Sequence, residues 1–137
     1  MARYTAIVDG EKGAYGVVIP DLPGCNAMGD TVELALRSAV SAIREWVEDV
    51  VAHGEAVPEP RPIEELLTDP EVRQAMADGG VLASVPLLMD SGRPAKANIS
   101  LDAGLLQAID EAAEAHNLTR SAFIATAARE KIESDAT

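Results

Sequence analysis

The sequence is poor in cysteine and in aromatic residues, with one cysteine, one tryptophan, one phenylalanine and two tyrosines in 137 residues. The single cysteine, Cys25, excludes an intrachain disulfide and fits a reducing compartment. With 47% apolar residues but so few aromatic rings, a folded core would consist of Val, Leu, Ile and Ala. The longest nearly apolar run, residues 81–89, is too short to cross a bilayer as a helix, and the N-terminus lacks the apolar segment of a signal peptide. We therefore predict a folded cytoplasmic protein without membrane association.

Basic side chains are also scarce, with 11 Lys and Arg against 23 Asp and Glu and a net charge of −12. This is the wrong sign for a general nucleic-acid binder. The charge is uneven, because residues 93–137 hold five basic and seven acidic side chains, a net of −2, and residues 1–92 carry the remaining −10. The acidic excess has two explanations, solubility alone or a basic partner, and composition does not choose between them.

The first thirty residues predict three strands. Residues 4–8 and 14–19 are β-rich runs, and residues 9–13 between them suggest a hairpin turn. A Leu-Pro-Gly-Cys turn signature at residues 22–25 precedes a brief third strand at residues 25–28, because proline suits the first central position of such a turn and glycine the second.

The surest helix of the chain follows this strand. Residues 30–33 form a capping-box pattern in which Asp30 is the acceptor and Glu33 follows three residues later. The helix should end near His53, because a glycine follows directly. Its apolar stripe repeats at helical spacing through Leu36, Val40, Ile43, Val47 and Val50.

Three prolines at alternate positions make residues 57–62 extended. Short helices are predicted at residues 63–67 and 70–77, the second of which begins with proline. Residues 81–89 then predict a strand, and Pro86 favours a sheet edge or a bulge for it. The order of strands and helices, β-β-β-α-α-β, predicts a small α+β domain.

The last forty residues have a different pattern. Residues 96–101 alternate polar and apolar side chains strictly, as in a strand with one wet face and one apolar face. A helix capped by Asp102 follows, and Asn117 suits its left-handed end. Thr119 caps a second helix that extends to Ile132.

One strand and two short helices cannot bury an adequate core alone, and an unpaired strand exposes a row of backbone hydrogen-bonding groups. A two-fold dimer solves both problems, because the strands of two chains can pair antiparallel over a core of four helices. We therefore predict that this segment dimerises.

Residues 96–132, with residues 118–123 as the opening of the second helix, resemble a ribbon-helix-helix DNA-binding domain. In that family the ribbon enters the major groove and its outward side chains contact base edges. The resemblance implies that Lys96, Asn98 and Ser100 read bases, which suits their hydrogen-bonding chemistry. It also implies that the start of the second helix binds phosphate through Thr119, Arg120 and Ser121. The alternative is that the three polar strand residues only form the solvated face of an edge strand.

Residues 15–25, residues 29–31 and the helix through Ala35, Ala39 and Trp46 resemble the HicB antitoxin family. The resemblance implies a partial RNase H-like N-terminal domain at residues 1–90, which binds a toxin. A linker at residues 91–94 and a dimeric ribbon-helix-helix domain at residues 95–137 would follow. Leu34 replaces the second acidic residue often found there.

The resemblance also implies a function, that of the antitoxin in a type II toxin–antitoxin pair. It would neutralise a basic, mRNA-cleaving toxin of the HicA type by occlusion, repress its own operon by binding operator DNA, and assemble as a homodimer or tetramer. The main alternative is a stand-alone repressor whose N-terminal domain senses a ligand or a partner.

Enzymatic alternatives have weaker support in the sequence. A nuclease would need converging carboxylates, for which Asp9, Asp21, Asp30 and Glu33 are available, but we place Asp9 in a hairpin turn and the last two at a helix cap. The pairing of Cys25 with His53 or His116 would give a thiol nucleophile, yet no pattern brings them together. We predict no catalytic residues, no metal site, no cofactor and no enzyme activity.

Overall fold

The computed structural model describes residues 1–90 and 92–134 and has a mixed α+β architecture. Its four-stranded antiparallel sheet has the strand order β3-β2-β1-β4. The chain divides into two compact units, Met1–Met89 and Asp90–Ile132. The elements are β1 (Arg3–Glu11), β2 (Ala14–Val18), β3 (Asn26–Gly29), α1 (Val32–Ala52), α2 (Ile63–Leu66), α3 (Pro70–Ala77), β4 (Val81–Pro86), α4 (Ala103–Ala115) and α5 (Arg120–Ser134).

The β1–β2 hairpin is longer than the sequence predicted. Asp9 pairs with Gly16 and Glu11 pairs with Ala14, so the turn contains only two residues. The placement of Asp9 in the turn was therefore wrong, because the backbone ladder continues past the last apolar residue of β1. Two carboxylates, those of Asp9 and Glu11, belong to a strand.

The turn before β3 has the predicted geometry. Gly24 adopts φ 83°, and the backbone N–H of Cys25 donates to the Leu22 carbonyl oxygen at 2.9 Å. Only glycine adopts this left-handed conformation without strain. The indole Nε1 of Trp46 in α1 donates to the Pro23 carbonyl oxygen at 3.0 Å, which fixes the turn to the helix.

Helix α1 begins one residue later than the capping-box pattern indicated. The N-cap is Thr31, whose hydroxyl accepts from the Leu34 backbone N–H at 3.1 Å. The assignment of Asp30 as the cap was wrong. With Thr31 as the cap, Glu33 is the second residue of the helix rather than the third, so it cannot complete the capping box. Glu33 pairs instead with Arg37 one turn later, at 3.1 Å.

Helix α1 covers one face of the sheet, and alternation along the strands supplies its partners. Tyr4, Ala6 and Val8 of β1 and Val17 of β2 are buried against the α1 stripe of Ala35, Leu36, Ala39, Val40, Ile43 and Val47. Ile7 points to the opposite face, where it meets Leu66 of α2 and Val72 of α3. At Ile7, β1 is therefore covered on both faces.

A buried carboxylate holds the proline-rich segment in place. Asp21 is 9% exposed and accepts hydrogen bonds from the Arg61 backbone N–H, at 2.9 Å, and from the Arg61 guanidinium. The same guanidinium reaches Asp69, the N-cap of α3, at 3.2 Å. The pKa of Asp69 is lowered because its carboxylate accepts the Glu71 backbone N–H and the Arg61 side chain.

Strand β4 ends at Pro86 rather than at residue 89, and it lies at a sheet edge as proline predicts. The predicted linker, residues 91–94, starts at Ser91, which lies outside the described residues, as do residues 135–137 of the predicted C-terminal domain. Within residues 1–90 and 92–134, none of the helices combines the length and apolar character needed to cross a membrane.

We predict that Asp21→Ala lowers the free energy of unfolding by about 1–3 kcal/mol, because Arg61 loses a buried acceptor. Arg37→Ala is the control, since it removes only the exposed pair with Glu33 and should change stability by less than about 0.5 kcal/mol. Urea denaturation of both variants measures the difference. Equal losses would contradict the structural role of the Asp21 carboxylate.

Candidate functional site

The predicted DNA-contacting residues all lie in the second unit, where local capping sets the start and end of α4. The Asp102 carboxylate accepts from the backbone N–H groups of Gly104 at 2.9 Å and Leu105 at 3.2 Å. At the other end Asn117 adopts φ 57°, and the Leu118 N–H donates to the Ala113 carbonyl at 2.8 Å. This left-handed cap reverses the chain, and α5 starts three residues later, at Arg120.

The N-terminus of α5 has backbone N–H groups that can donate hydrogen bonds to an anion. The hydroxyl of Thr119 accepts from the Ala122 N–H at 3.1 Å and so caps the helix. The first turn contains no acidic residue, and Thr119, Arg120 and Ser121 are exposed. The helix dipole and the first backbone N–H groups favour a negative charge at this end.

The Arg120 guanidinium is bound inside the unit. Its Nε and a terminal nitrogen donate to both carboxylate oxygens of Asp110 in α4, each at 2.8 Å. This two-pronged geometry lowers the pKa of Asp110 and raises that of Arg120. The ion pair joins the start of α5 to α4, so backbone N–H groups and hydroxyls remain as the donors at this helix end. Sequence reasoning missed this contact, because the two residues belong to different helices.

The sequence predicted a strand at residues 96–101, but these residues do not form a strand in the single chain. The described residues offer them no β-ladder, and Lys96, Asn98 and Ser100 are exposed. Their apolar neighbours are exposed too, with Ile99 at 60% and Leu101 at 37%. A strand needs a second strand to supply its hydrogen bonds, and one copy of this segment contains none.

These apolar side chains line an open groove of about 530 Å³ within the second unit. Its walls come from the 95–101 segment, from Leu106 of α4 and from Ile124 of α5, with Arg120 and Ser121 at its margin. Asn98 also lines the groove, whereas Lys96 and Ser100 do not. The predicted apolar face, Ala97, Ile99 and Leu101, thus lies together on one side of an unfilled space.

The candidates for nucleophilic chemistry occupy structural positions. Burial raises the pKa of the Cys25 thiol to about 11, so the thiol is protonated at neutral pH and is a poor nucleophile. The Nδ1 atoms of His53 and His116 each lie 2.8 Å from a carbonyl oxygen four residues earlier, at the ends of α1 and α4. Both imidazoles are exposed, and both histidines are the C-cap residues of their helices.

The carboxylates considered for a nuclease do not form a site. Asp21 is bound to Arg61 and Glu33 to Arg37, whereas Asp9 and Asp30 are exposed. Across residues 1–90 and 92–134, no three His, Cys, Asp or Glu side chains converge in a way that would hold a metal ion.

Comparison with known proteins extends over both units. An uncharacterized 14.9 kDa protein from the rep-hol intergenic region of Haemophilus phage HP1 is 31% identical over 113 residues, 82% of this chain and 83% of that protein. The crystal structure of the Burkholderia pseudomallei antitoxin HicB matches with a TM-score of 0.54 and 32% identity, covering 96% of this chain and 99% of the other.

A chain in the structure of the HicA3 and HicB3 toxin–antitoxin complex has the same fold over 61% of this chain and 95% of its own length, with a TM-score of 0.51 and 22% identity. The profile of the family described as HicB_like antitoxin of bacterial toxin-antitoxin system matches residues 4–128. The chain therefore belongs to the HicB-like antitoxins of bacterial toxin–antitoxin systems.

Proposed function

We propose that the first unit neutralises a small, basic, mRNA-cleaving toxin of the HicA type by covering it, and that the second unit, as a dimer, represses the operon of the pair by binding operator DNA. The charge distribution supports this division, because residues 1–92 carry −10 and residues 93–137 carry only −2. An acidic surface attracts a basic ribonuclease, whereas a nearly neutral unit can approach DNA.

The proposal of a dimeric repressor rests on the small number of buried side chains in the second unit. Among its described residues only Ala113 is buried in α4, and α5 buries none. Four large aliphatic side chains are more than a third exposed: Ile99, Leu101, Leu105 and Leu118. A unit of this size needs more buried apolar area to be stable, and a second copy supplies it.

A ribbon-helix-helix dimer would pair the backbone groups of this segment and also bury its exposed apolar side chains. Antiparallel pairing of residues 96–101 with the same residues of a second chain would complete the backbone hydrogen bonds and turn Ile99 and Leu101 into the shared groove. Lys96, Asn98 and Ser100 would then alternate on the outer face of the ribbon, where base edges are read. Phosphates would meet the hydroxyls and backbone N–H groups at Thr119, Arg120 and Ser121.

Inhibition of the toxin is by occlusion rather than by chemistry in this proposal. The HicB resemblance implies a partial RNase H-like fold for the first unit, but its candidate carboxylates are dispersed or paired, and the Cys25 thiol is buried and protonated. Covering the toxin and binding the operator are both tasks of surface contact in this proposal. Both tasks belong to the cytoplasm, where mRNA and operator are found.

Truncation after Gly92 should abolish operator binding and leave toxin neutralisation largely intact. The first unit keeps its own core in such a variant, whereas every proposed DNA contact is removed. Gel-shift titration and rescue of cells that express the toxin measure the two activities, with the full chain as control. A truncated protein that still shifts operator DNA would show that the division of labour is wrong.

The double variant Lys96→Ala with Asn98→Ala should lose its preference for operator over scrambled DNA. Each lost base contact should cost about 1–3 kcal/mol on operator DNA. Competition titrations at one fixed salt concentration measure the ratio of the two affinities. If the unmodified protein already binds both DNAs equally, base reading by the ribbon is excluded.

Asp110→Asn should make DNA binding more dependent on salt. Releasing the Arg120 guanidinium from Asp110 provides one more phosphate contact per chain, and each added contact steepens the slope of log affinity against log salt by about 0.9. Glu111→Gln is the matched control, because it changes the charge equally on the same helix and its partner is Gln107, not an arginine. Equal slopes for the two variants would show that Arg120 does not reach phosphate.

A further inference from the structure

The outer face of the sheet, opposite α1, is only half covered by helices. Over β1 and β4, the α2–α3 segment meets Ile7 and Leu82 in a small apolar cluster. Val17 of β2 and Ala27 of β3 belong to the core beneath α1, so their strand neighbours point to the outer face. Those neighbours have no helix above them, and Val18 is 45% and Met28 74% exposed.

Two carboxylates lie on the same outer face, in register with these strands. Asp9, Gly16 and Met28 form one row across β1, β2 and β3. A Cβ built on Gly16 would lie 3.3 Å from Oδ1 of Asp9, so the Asp9 carboxylate extends over the bare glycine backbone. Glu11 shares the orientation of Asp9 and is also exposed.

The resulting patch, Asp9, Glu11, Gly16, Val18 and Met28, which we call the outer-sheet patch, combines apolar and acidic groups. Within the described residues, neither carboxylate forms an ion pair, and Lys12 lies beyond them in the hairpin turn. Lys and Arg side chains fit such a surface, because their alkyl stems can lie on Val18 and Met28 while their charges meet the carboxylates.

The chemistry of the patch favours a basic partner over a second copy of this chain. Two copies joined at this face would bring four carboxylates together between units that each carry about −10, and like charges oppose that contact. The flexible side chain of Met28 adapts to an irregular protein surface. A basic protein surface therefore fits both the apolar side chains and the charge of the patch.

We propose that the outer-sheet patch is the surface that binds the basic toxin, with Val18 and Met28 as apolar anchors and Asp9 and Glu11 as the charged rim. This inference rests on the proposed function and specifies which face of the first unit covers the toxin. The two anchors lie on β2 and β3, whose positions are fixed by the core beneath α1. The patch is therefore preformed, and binding needs no rearrangement of the sheet.

The test is Met28→Arg in the full chain, with a purified basic toxin of the HicA type as the binding partner. The variant should weaken toxin binding by about tenfold or more, because it places a bulky cation where a basic partner docks. Val51→Arg is the matched control, since Val51 is 58% exposed near the end of α1 and gains the same charge. Calorimetric titration measures affinity, and thermal unfolding and operator binding should match the unmodified protein.

The charged rim has its own variant, Asp9→Asn with Glu11→Gln, which should slow association and reduce its salt dependence. If Met28→Arg binds the toxin as tightly as the unmodified chain, or if Val51→Arg weakens binding equally, the assignment of this face is wrong. Weaker self-association of Met28→Arg with unchanged toxin binding would assign the face to a second copy and overturn the proposal. If the unmodified chain does not bind the toxin, the proposed function fails and this inference fails with it.

Discussion

The packing of α1 against the sheet is the contact on which the first unit depends. One apolar stripe of a 21-residue helix buries the inward side chains of the strands, including Tyr4 and Val17, at less than 2% exposure. Gly29 permits this approach, because a Cβ there would lie 2.8 Å from the Ala35 Cα, closer than side chains tolerate. An antiparallel sheet has two faces, however, and α2 and α3 cover only part of the second. Half of that face stays exposed because these two helices are short.

The second unit obeys the same requirement for burial in a different way. Its helices have correct caps and a tight reversal at Asn117, so local structure is complete, yet Ile99, Leu101, Leu106 and Ile124 line an open groove. Local hydrogen bonds therefore set the shape of one copy, whereas they leave its large apolar side chains exposed. In the function we propose, folding of the DNA-binding unit and its dimerisation are one event, and the concentration of the protein controls repression.

Ion pairs have different tasks in the two units. In the first, Arg61 joins the buried Asp21 to the cap of α3 and holds the extended proline segment against the core. In the second, Arg120 at the start of α5 binds Asp110 in the middle of α4, and the pair occupies a guanidinium that DNA would otherwise attract in the function we propose. The proposed phosphate contacts then depend on backbone N–H groups, whose direction is fixed by the helix. This arrangement would favour precise positioning of the protein on DNA over strong attraction to DNA of any sequence.

The sequence by itself determined the features that depend on residues close together along the chain. Periodicity predicted the helices and the first three strands to within a few residues, and capping chemistry predicted Asp102 and the left-handed Asn117. It misplaced the α1 cap and the extent of the first hairpin, because adjacent polar residues compete for one cap and a ladder can continue into polar residues. Tertiary structure alone decided the Asp21–Arg61 and Asp110–Arg120 pairs, the half-covered sheet face and the open groove. These features depend on distances between elements far apart in the chain, and no local pattern of residue types encodes such distances.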